Sequence, residues 1–285
     1  MIDLHSHTTA SDGTLSPSEL AEHAAARHVS VLAVTDHDTV GGLQEAEAAC
    51  ARLGITFVPG IEISMAWPQG EFHLLGLGIR MVSREMQDLV RSQQEERLRR
   101  NERIVRKMNE AGIRATLSDI AVDESGNPVH GTVGRPHFAE FLRRRGIVRT
   151  RQQAFDKYLG YGRPYYEAHS GAQLGQAVSA IVSCGAVPVL AHPLSLCIGW
   201  SALEERLVSF KGQGVRGIEA WHSGARAGDC ARLEALARAH GLFVTAGSDF
   251  HGPAVRADRH LGHTAGDKKI DSRFYFEELL PNLMN

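Results

Sequence analysis

Short apolar runs alternate with amphipathic helical segments along much of this chain, and few folds accommodate such a pattern. MIDLHSH predicts a strand, and SPSELAEHAAARH follows with Ser16, Pro17 and Glu19 in the pattern of a capped helix start. VSVLAV then predicts a strand buried on both faces. The alternation continues through LQEAEAACARLG, ITFVPGIEIS and FHLLGLGI, and returns in AVSAIVSCG, AVPVLAHP, ALEERLVSFKGQG, VRGIEAWHS, CARLEALARAHG and LFVTAGSDFHG. About seven strands that alternate with helices favour an α/β fold with a parallel sheet, either open or closed into a barrel.

The middle of the chain interrupts this alternation. The stretch from Arg84 to Gly112 is long, charged and helical, and GRPHFAEFLRRRG and AFDKYLGYGRP add helical material without an intervening strand. We therefore expect a helical insertion over residues 100–166 that overhangs the substrate site as a cap. Residues 1–99 and 167–285 then form the two parts of the strand-containing domain.

Histidine and carboxylate side chains collect at the carboxyl ends of the predicted strands, where parallel α/β folds place their active sites. His5 and His7 share one face of the first strand, because strand side chains alternate between faces. His73 lies near the start of its strand, so an antiparallel or offset strand is needed to bring it to the same rim. The converging set is His5, His7, Asp12, His37, Glu62, His73, His192, Asp249 and His251.

These six imidazoles and three carboxylates predict a metal site. Burying all of them together without a cation would cost much free energy. One metal takes three or four protein ligands, so the set suits two or three divalent metals with a bridging carboxylate. Nitrogen and oxygen ligands without cysteine favour Mn, Fe or Zn over softer metals.

Simpler structural interpretations remain open for several acidic residues and one histidine. Asp12 precedes a glycine and could be a turn residue, and His73 could be a hydrogen-bonded loop residue. Asp38 is expected to cap the following helix, and Asp36 to orient a ligand from behind. Asp3 is either a similar orienting residue or an ordinary residue at the start of a strand.

Composition argues against several classes of protein. The 31 basic and 33 acidic residues give a formal charge of -2, so no global basic field indicates binding to long DNA or RNA. No apolar run approaches membrane-spanning length, and the N-terminus lacks the pattern of a secretion signal. The four cysteines are scattered without a C-x-x-C pair, which is typical of reduced thiols in a cytoplasmic protein.

Five separated motifs make the sequence recognisable. DLHSHTTASDGTLSP, LAVTDHDT, GIEIS, AHP and SDFHG, in this order, resemble the PHP (polymerase and histidinol phosphatase) family of metal-dependent phosphoesterases. The resemblance implies a distorted (β/α)7 barrel with two or three metals, and all nine expected ligand positions are filled. It implies three ligand groups: His5, His7, Glu62 and Asp249; the bridging Glu62 with His73 and His192; and Asp12, His37 and His251.

The insertion motifs GRPHFAEFL and AFDKYLG further resemble a PHP subfamily that acts on nucleotides. The resemblance implies substrates such as nucleoside 3',5'-bisphosphates, which carry a second phosphate besides the one that is hydrolysed. This second phosphate requires cationic or hydrogen-bonding side chains, and the candidates are Arg135, His137, Lys157 and His222. Lys157 is equally well interpreted as a solvated helix residue. Glu219 lies three residues before His222, so we expect it to face the opposite side of the strand and to be structural.

The run RLRRNERIVRK places Arg99, Arg103 and Arg106 on one helical face. Such a stripe could face RNA, but glutamates are interleaved with the arginines. A solvated helix face is therefore the favoured interpretation.

The resemblance to this subfamily, together with the metal-ligand set, implies a metal-dependent phosphatase that removes the 3'-phosphate of nucleoside 3',5'-bisphosphates, with Mn as the favoured metal and Fe, Zn or Mg as other options. Hydroxide activated by the metals would attack phosphorus, so no covalent nucleophile is needed. The alternatives are a 5'-to-3' exoribonuclease on short RNA, a histidinol-phosphatase-like phosphomonoesterase, and a non-catalytic metal-binding accessory module. The expected partner is a small phosphorylated nucleotide, with short RNA as the alternative.

Overall fold

A computed structural model describes residues 1–122, 126, 129, 131–168, 170–253, 255 and 259–284 of the chain. Seven strands form one sheet whose neighbours follow the order of the chain. Adjacent strands are parallel except around the fourth, which runs antiparallel to both neighbours. The strands are β1 (Ile2–Asp3), β2 (Val31–Val34), β3 (Thr56–Ser64), β4 (His73–Leu77), β5 (Val187–Leu190), β6 (Gly217–His222) and β7 (Phe243–Gly247).

The two edge strands of this sheet meet, so the sheet curls into a nearly closed barrel. The amide of Leu4 donates to the carbonyl of Ala246 at 3.3 Å, and the amide of Asp249 donates to the carbonyl of His5 at 3.0 Å. Ser6 and Phe250 add an isolated parallel bridge. These contacts confirm the predicted distorted (β/α)7 barrel and decide between an open and a closed sheet.

Helices surround the barrel and form the insertion. In the described part of the chain they are α1 (Pro17–Ala26), α2 (Leu43–Leu53), α3 (Arg84–Glu110), α4 (Leu117–Ile120), α5 (Arg135–Arg144), α6 (Arg151–Ala154), α7 (Leu174–Ser183), α8 (Trp200–Gly212), α9 (Ala227–Ala239) and α10 (Leu280–Leu283). Two π-helical turns cover Phe155–Leu159 and Phe274–Leu279, a 3-10 turn covers Pro193–Leu196, and a small hairpin pairs β8 (His263–Thr264) with β9 (Lys268–Lys269).

Local signals account for the first two helices. The Ser16 hydroxyl accepts from the amide of Glu19 at 3.2 Å, and the Glu19 carboxylate accepts from the amide of Ser16 at 2.7 Å, which is the predicted capping box. Gly54 ends α2 with φ 70°, a left-handed conformation that glycine adopts readily. The prediction that Asp38 caps α2 was wrong, because the N-cap position of this helix is occupied by Gly42.

The main apolar core fills the barrel and the layer beneath its surrounding helices. Side chains from several strands contribute to it, among them Ile61, Leu75, Val189, Ile218 and Val244, all buried. A second cluster lies under α1 and α2. Apolar side chains pack against the strands on the inner and the outer face of the barrel. Because this packing is close, the carboxyl ends of the strands are fixed relative to one another.

The insertion has a third apolar core of its own, which includes Ile104, Met108, Phe138 and Leu142. Helix α3 connects this core to the barrel, since Met86 near its start belongs to the main core. The boundary predicted between residues 99 and 100 therefore falls inside one continuous helix that both cores share. The division into domains stays a prediction.

Candidate metal centre

The predicted histidines and carboxylates lie together at one end of the barrel. His5 and His7 follow β1 directly, and both side chains are fully buried. His73 begins β4 and pairs with Ser64 at the end of β3, so the antiparallel direction of β4 brings it to the same rim, as predicted. His192 and Asp249 follow β5 and β7 with φ values of 24° and 54°. Such positive φ angles in residues other than glycine are strained and concentrate at functional sites.

A first group of four side chains surrounds one point. The His7 Nε2 atom lies 3.1 Å from Asp249 Oδ1 and 3.3 Å from Glu62 Oε2, and His5 Nε2 lies 3.3 Å from the same Glu62 oxygen. One potential ligand atom from each of the four residues lies within 4.8 Å of the others. This group has the composition that the resemblance implies for the first metal.

A second group forms around the other oxygen of Glu62. His73 Nδ1 and His192 Nε2 each lie 2.9 Å from Glu62 Oε1, and they are 3.3 Å from each other. Since its two oxygens face different groups, Glu62 has the geometry of a bridging ligand.

A third group contains His7, Asp12, His37 and His251, again with ligand atoms within 4.8 Å. Asp12 Oδ1 lies 3.3 Å from His251 Nε2 and 4.0 Å from His7 Nδ1. His37 Nδ1 also approaches Glu62 Oε2 at 3.1 Å, which places His37 between the second and third groups. The structure thus brings all nine predicted side chains together.

Hydrogen bonds on the far side of three imidazoles prepare them to bind a cation. His5 Nδ1 contacts the Glu219 carboxylate at 2.9 Å, and His251 Nδ1 contacts the carbonyl of Asp249 at 2.9 Å. The Ser195 hydroxyl donates to the carbonyl of Glu71, so it can only accept from His192 Nδ1 at 2.8 Å. Because each Nδ1 then carries the proton, each Nε2 presents a lone pair to the cluster when the ring is neutral.

Unpaired buried atoms at the centre test whether a metal fits. Within the described residues, His5 Nε2, both ring nitrogens of His7, His37 Nδ1 and Glu62 Oε2 are buried without a hydrogen-bond partner. Buried polar atoms are rarely left unpaired in proteins. His7 belongs to both the first and the third group, so a cation in each group would give each of its ring nitrogens a partner and would also engage the other unpaired atoms. The residues therefore fit more than one metal.

Charges within the cluster are strongly coupled. Burial alone would raise the pKa of Glu62, but the facing imidazoles of His37 and His5 hold it well below its usual range. Burial opposes protonation of His7, yet Asp249 and Glu62 raise its pKa to about 10. Burial lowers the pKa of His37 to about 3. Without metal, imidazolium therefore neutralises the carboxylates, and a metal must displace those protons.

Glu219 belongs to this site, and the prediction that it faces away was wrong. Its carboxylate contacts His5 Nδ1 at 2.9 Å and accepts from the amide of His192 at 2.9 Å. The register of β6 against β7 shifts between Glu219 and Trp221, so the simple alternation of faces fails there. Gly247 leaves room for this pair, because a Cβ at that position would overlap both His5 and the Glu219 carboxylate.

Three aspartates support the surrounding loops. Asp3 accepts from Ser248 and from the amide of Gly262, and burial raises its pKa to about 6. Asp36 accepts from Thr8 and Ser11 and so fixes the loop that leads to Asp12.

Asp38 accepts from the amide of Ser64 at 2.9 Å and from Arg97 Nε at 2.6 Å. These aspartates thus hydrogen-bond to the loops around the cluster. Asp36 was expected to orient a ligand, and it acts on Asp12 through the loop that carries it.

A cleft of about 1260 Å³ opens above the cluster. Of the four candidate substrate residues, Arg135 and His222 line it. Arg135 pairs with Glu71 and lies 5.8 Å over the ring of Tyr166, and His222 Nε2 lies 3.4 Å from Asp249 Oδ2.

The other two candidates lie outside the residues that line the cleft. His137 Nδ1 accepts from the amide of Gly134 at 3.0 Å in the first turn of α5, and Lys157 is exposed on the π-helical turn Phe155–Leu159. His137 is thus used to cap its own helix, and the position of Lys157 agrees with its interpretation as a solvated residue.

Further arginines of the cleft wall were missed from sequence. Arg97 and Arg100 line the cleft from α3, and Arg259 reaches it after β7 and pairs with Asp249. The sequence does carry an indication of these two helix residues. Arg97 and Arg100 share a helical face with apolar residues that are buried in the structure, and a charged residue is unexpected on such a face. The apolar residues are Met86, Ile104 and Met108.

The other face of α3 carries Arg99 and Arg103, which pair with Glu96 at 3.1 and 3.2 Å. This pairing agrees with the interpretation of RLRRNERIVRK as a solvated face.

Among the described residues, the structure contains no helix that is both long and apolar enough to span a membrane.

Known sequences place these observations in a family. The PHP domain profile matches residues 3–159. A 3',5'-nucleoside bisphosphate phosphatase of Chromobacterium violaceum is 39% identical over 263 residues, which cover 92% of this chain and 91% of that protein. A 5'-3' exoribonuclease of Haemophilus influenzae is 36% identical over 251 residues, covering 88% of this chain and 90% of that protein.

Solved structures agree with the fold. An amidohydrolase from Chromobacterium violaceum, solved with bound sulfate and no metal, superposes with a TM-score of 0.87 at 35% identity, covering 99% of this chain and 95% of that one. A Bifidobacterium adolescentis protein described as a metal-dependent phosphoesterase gives 0.85 at 29% identity, covering 98% and 95%.

Proposed function

Because this chain belongs to the PHP domain family, we propose that it is a metal-dependent phosphatase that removes the 3'-phosphate of nucleoside 3',5'-bisphosphates. Its class, a phosphoric ester hydrolase, follows from relatives that cover nearly the whole chain. The observation that carries the proposal is the cluster of nine potential ligands at the floor of an arginine-lined cleft. A bisphosphate needs both features, since one phosphate must reach the metals and the other needs a separate cationic contact.

The nine residues of the three groups would hold two or three divalent metals, with Glu62 as the bridge. Mn is our first choice, and Fe, Zn or Mg would suit the same nitrogen and oxygen ligands. Divalent cations held there would supply an activated water as nucleophile and would offset the charge on the phosphoryl oxygens.

The chain's own residues position the reaction. Glu219, Ser195 and the carbonyl of Asp249 fix the rings of His5, His192 and His251, so the ligands need little rearrangement. His222 lines the cleft beside Asp249. Burial lowers the pKa of His222, so a neutral imidazole faces the substrate. Arg135 offers a planar guanidinium that suits phosphate oxygens.

Phosphate release from adenosine 3',5'-bisphosphate by the Mn-loaded protein tests this function. We expect free phosphate together with adenosine 5'-monophosphate, separated by chromatography. His73→Ala should lower the rate, because it removes a ligand of the second group, whereas Asp88→Asn on the exposed face of α3 should not. No phosphate release, or release of the 5'-phosphate instead, would contradict the proposal.

A second candidate is a 5'-to-3' exoribonuclease on short RNA. The cleft of about 1260 Å³ exceeds the roughly 300–1,000 Å³ of ordinary small-molecule sites, which leaves room for more than one nucleotide. Stepwise release of mononucleotides from a 5'-phosphorylated oligoribonucleotide, at a kcat/KM above that for the bisphosphate, would favour this candidate. Histidinol phosphate in the same assay tests the remaining phosphatase alternative.

A further inference from the structure

We propose that Arg100 is the anchor for the phosphate that is not hydrolysed. This inference rests on the proposed function and adds a residue that sequence reasoning did not single out. Arg100 would bind a terminal phosphate through its guanidinium, while the scissile phosphate lies over the metal-ligand cluster. The substrate class is then a nucleotide that carries a second phosphate as a terminal monoester.

Among the residues that the structure describes, none offers a carboxylate in an ion pair with Arg100. Its side chain lies on α3, lines the cleft, and is only 3% exposed. Nη2 donates to Asn101 Oδ1 at 3.3 Å, and Nε has no partner among the described residues. Asn101 is itself held by a bond from its amide to the carbonyl of Val133 at 2.9 Å. Within the described part of the chain, this buried guanidinium thus has one neutral hydrogen-bond contact at the cleft, which is costly unless an anion binds there.

The neighbouring charges leave a positive surplus at this place. Arg97 donates to Asp38 at 2.6 Å and to Ser64 at 2.8 Å, and Arg135 pairs with Glu71. The carboxylates of Asp38 and Glu71, whose charges act on Arg100, are therefore each engaged by another arginine. Burial, followed by the charges of Arg97 and Arg135, lowers the pKa of Arg100 well below its usual range, as expected for a third cation between two others.

This position suits a substrate that also reaches the metal-ligand cluster. A Cβ placed on Gly134 would lie 3.5 Å from Arg97 Nη1 and 3.9 Å from Asp12 Oδ2, so Arg97 adjoins the third ligand group, and Arg100 follows it on α3 and lines the same cleft. Arg135 follows Gly134 and forms an ion pair with Glu71. Arg135, and after it His73 and His192, lower the pKa of Glu71 to about 2, so this ion pair lies close to the second ligand group. Arg97, Arg100 and Arg135 therefore line the same cleft as the metal-ligand cluster. One molecule with two phosphates can contact these arginines with one phosphate and the cluster with the other.

Two substrates that differ only at the 5' position separate anchoring from chemistry. Adenosine 3',5'-bisphosphate and adenosine 3'-monophosphate carry the same scissile group, so their ratio of kcat/KM measures recognition of the second phosphate. Arg100→Met keeps the length of the side chain and removes its charge. We expect this variant to reduce the ratio about 10- to 100-fold, mainly through KM, because a lost charged hydrogen bond has this effect. Arg100→Lys should restore part of it.

Controls make the result specific. Arg99→Met changes an exposed arginine on the same helix and should leave both substrates unaffected. Metal content and the thermal unfolding midpoint of each variant report its folding, and Arg100→Gln serves as a second neutral variant. An equal loss with both substrates would identify a purely structural role, and an unchanged ratio would overturn the proposal.

Equilibrium binding distinguishes failure of the anchor from failure of the proposed function. Titration calorimetry with the metal-loaded protein compares adenosine 5'-monophosphate with adenosine. We expect tighter binding of the monophosphate and loss of that difference in Arg100→Met. If wild type discriminates in this way yet hydrolyses no bisphosphate, the function fails and the anchor stands. If wild type binds both equally, the anchor fails whatever the activity.

Discussion

Single residues at the rim illustrate how one side chain can satisfy two interpretations. The residues around Asp12 do form a turn, since the amides of Ser11 and Gly13 both donate to the carbonyl of Thr8. Gly13 is required there, because a Cβ would lie 2.6 Å from the carbonyl oxygen of His7. The Asp12 side chain nonetheless points to His251, so the turn is what delivers the carboxylate to the third ligand group.

Asp12→Asn tests that group. The amide keeps the size of the side chain but loses the negative charge that a metal needs, so we expect about one metal fewer per chain and slower turnover. Elemental analysis and phosphate release measure the two effects. Asp88→Asn makes the same chemical change on an exposed surface and should alter neither. Unchanged metal content and rate would return Asp12 to a turn residue alone.

Glu219→Gln tests the orientation of His5. A neutral amide would hold the imidazole less firmly and could fix the wrong tautomer, so metal affinity should fall about 10- to 100-fold. Competition with a coloured chelator measures this without any activity assay. Glu204→Gln, at an exposed contact of 3.0 Å with His240, is the matched control, because it makes the same change beside a histidine away from the cluster. If affinity stayed unchanged in Glu219→Gln, the contact at 2.9 Å would be structural only.

At the scale of elements, two local departures from regularity create the site. The antiparallel β4 turns His73 toward the rim from the start of a strand, and the shifted register of β6 lets both Glu219 and His222 face inward. Helix α3 adds a third contribution, since its buried stripe carries arginines where it passes the cleft. A regular parallel barrel with unbroken strands would supply fewer inward polar groups.

The capping box of α1 gives a prediction about stability. Ser16→Ala removes the acceptor for the amide of Glu19 and should lower the free energy of unfolding by about 1 kcal/mol. Urea denaturation followed by circular dichroism measures the difference. Ser18→Ala lies in the same helical turn without that bond and should change stability by less than about 0.5 kcal/mol. Equal effects of the two substitutions would show that the capping box contributes little.

At the scale of the whole molecule, the ligands come from distant parts of the chain, so metal binding and folding are coupled. The first group joins residues 5 and 7 to residues 62 and 249, and the barrel must close before they meet. Anything that binds the folded state alone stabilises it. Metal should therefore stabilise the entire fold, to a degree that depends on pH.

The sign of this pH dependence follows from His7. The pKa of His7, about 10, lies above the pKa of about 6.5 of an unfolded histidine. Its ion pairs therefore stabilise the metal-free protein fully below the unfolded pKa, and this stabilisation declines as pH rises until it is gone above about 10. A metal needs the neutral ring and must displace that proton, which is harder at low pH. The gap in thermal midpoint between Mn-loaded and EDTA-treated protein should thus widen from pH 6 to pH 8. A constant gap would contradict this coupling.

Local patterns were sufficient for much of the outcome. The alternation of strands and helices, the capped start of α1 and the shared face of His5 and His7 follow from periodicities of a few residues, which the sequence displays directly. The nine side chains could be grouped at one rim because the ends of parallel strands converge. The chemistry of the set, imidazole and carboxylate without thiolate, already indicated metals.

Only the tertiary structure decided the rest. Four outcomes depend on strand register and on contacts between segments far apart in the chain. They are the closure of the sheet, the contact of Glu219 with His5, the bond from Arg97 to Asp38 in place of a cap on α2, and the lack of a partner for Arg100 Nε among the described residues. Such contacts have no local periodicity. They arise because close packing fixes which distant groups meet, and burial then sets which charges find a partner.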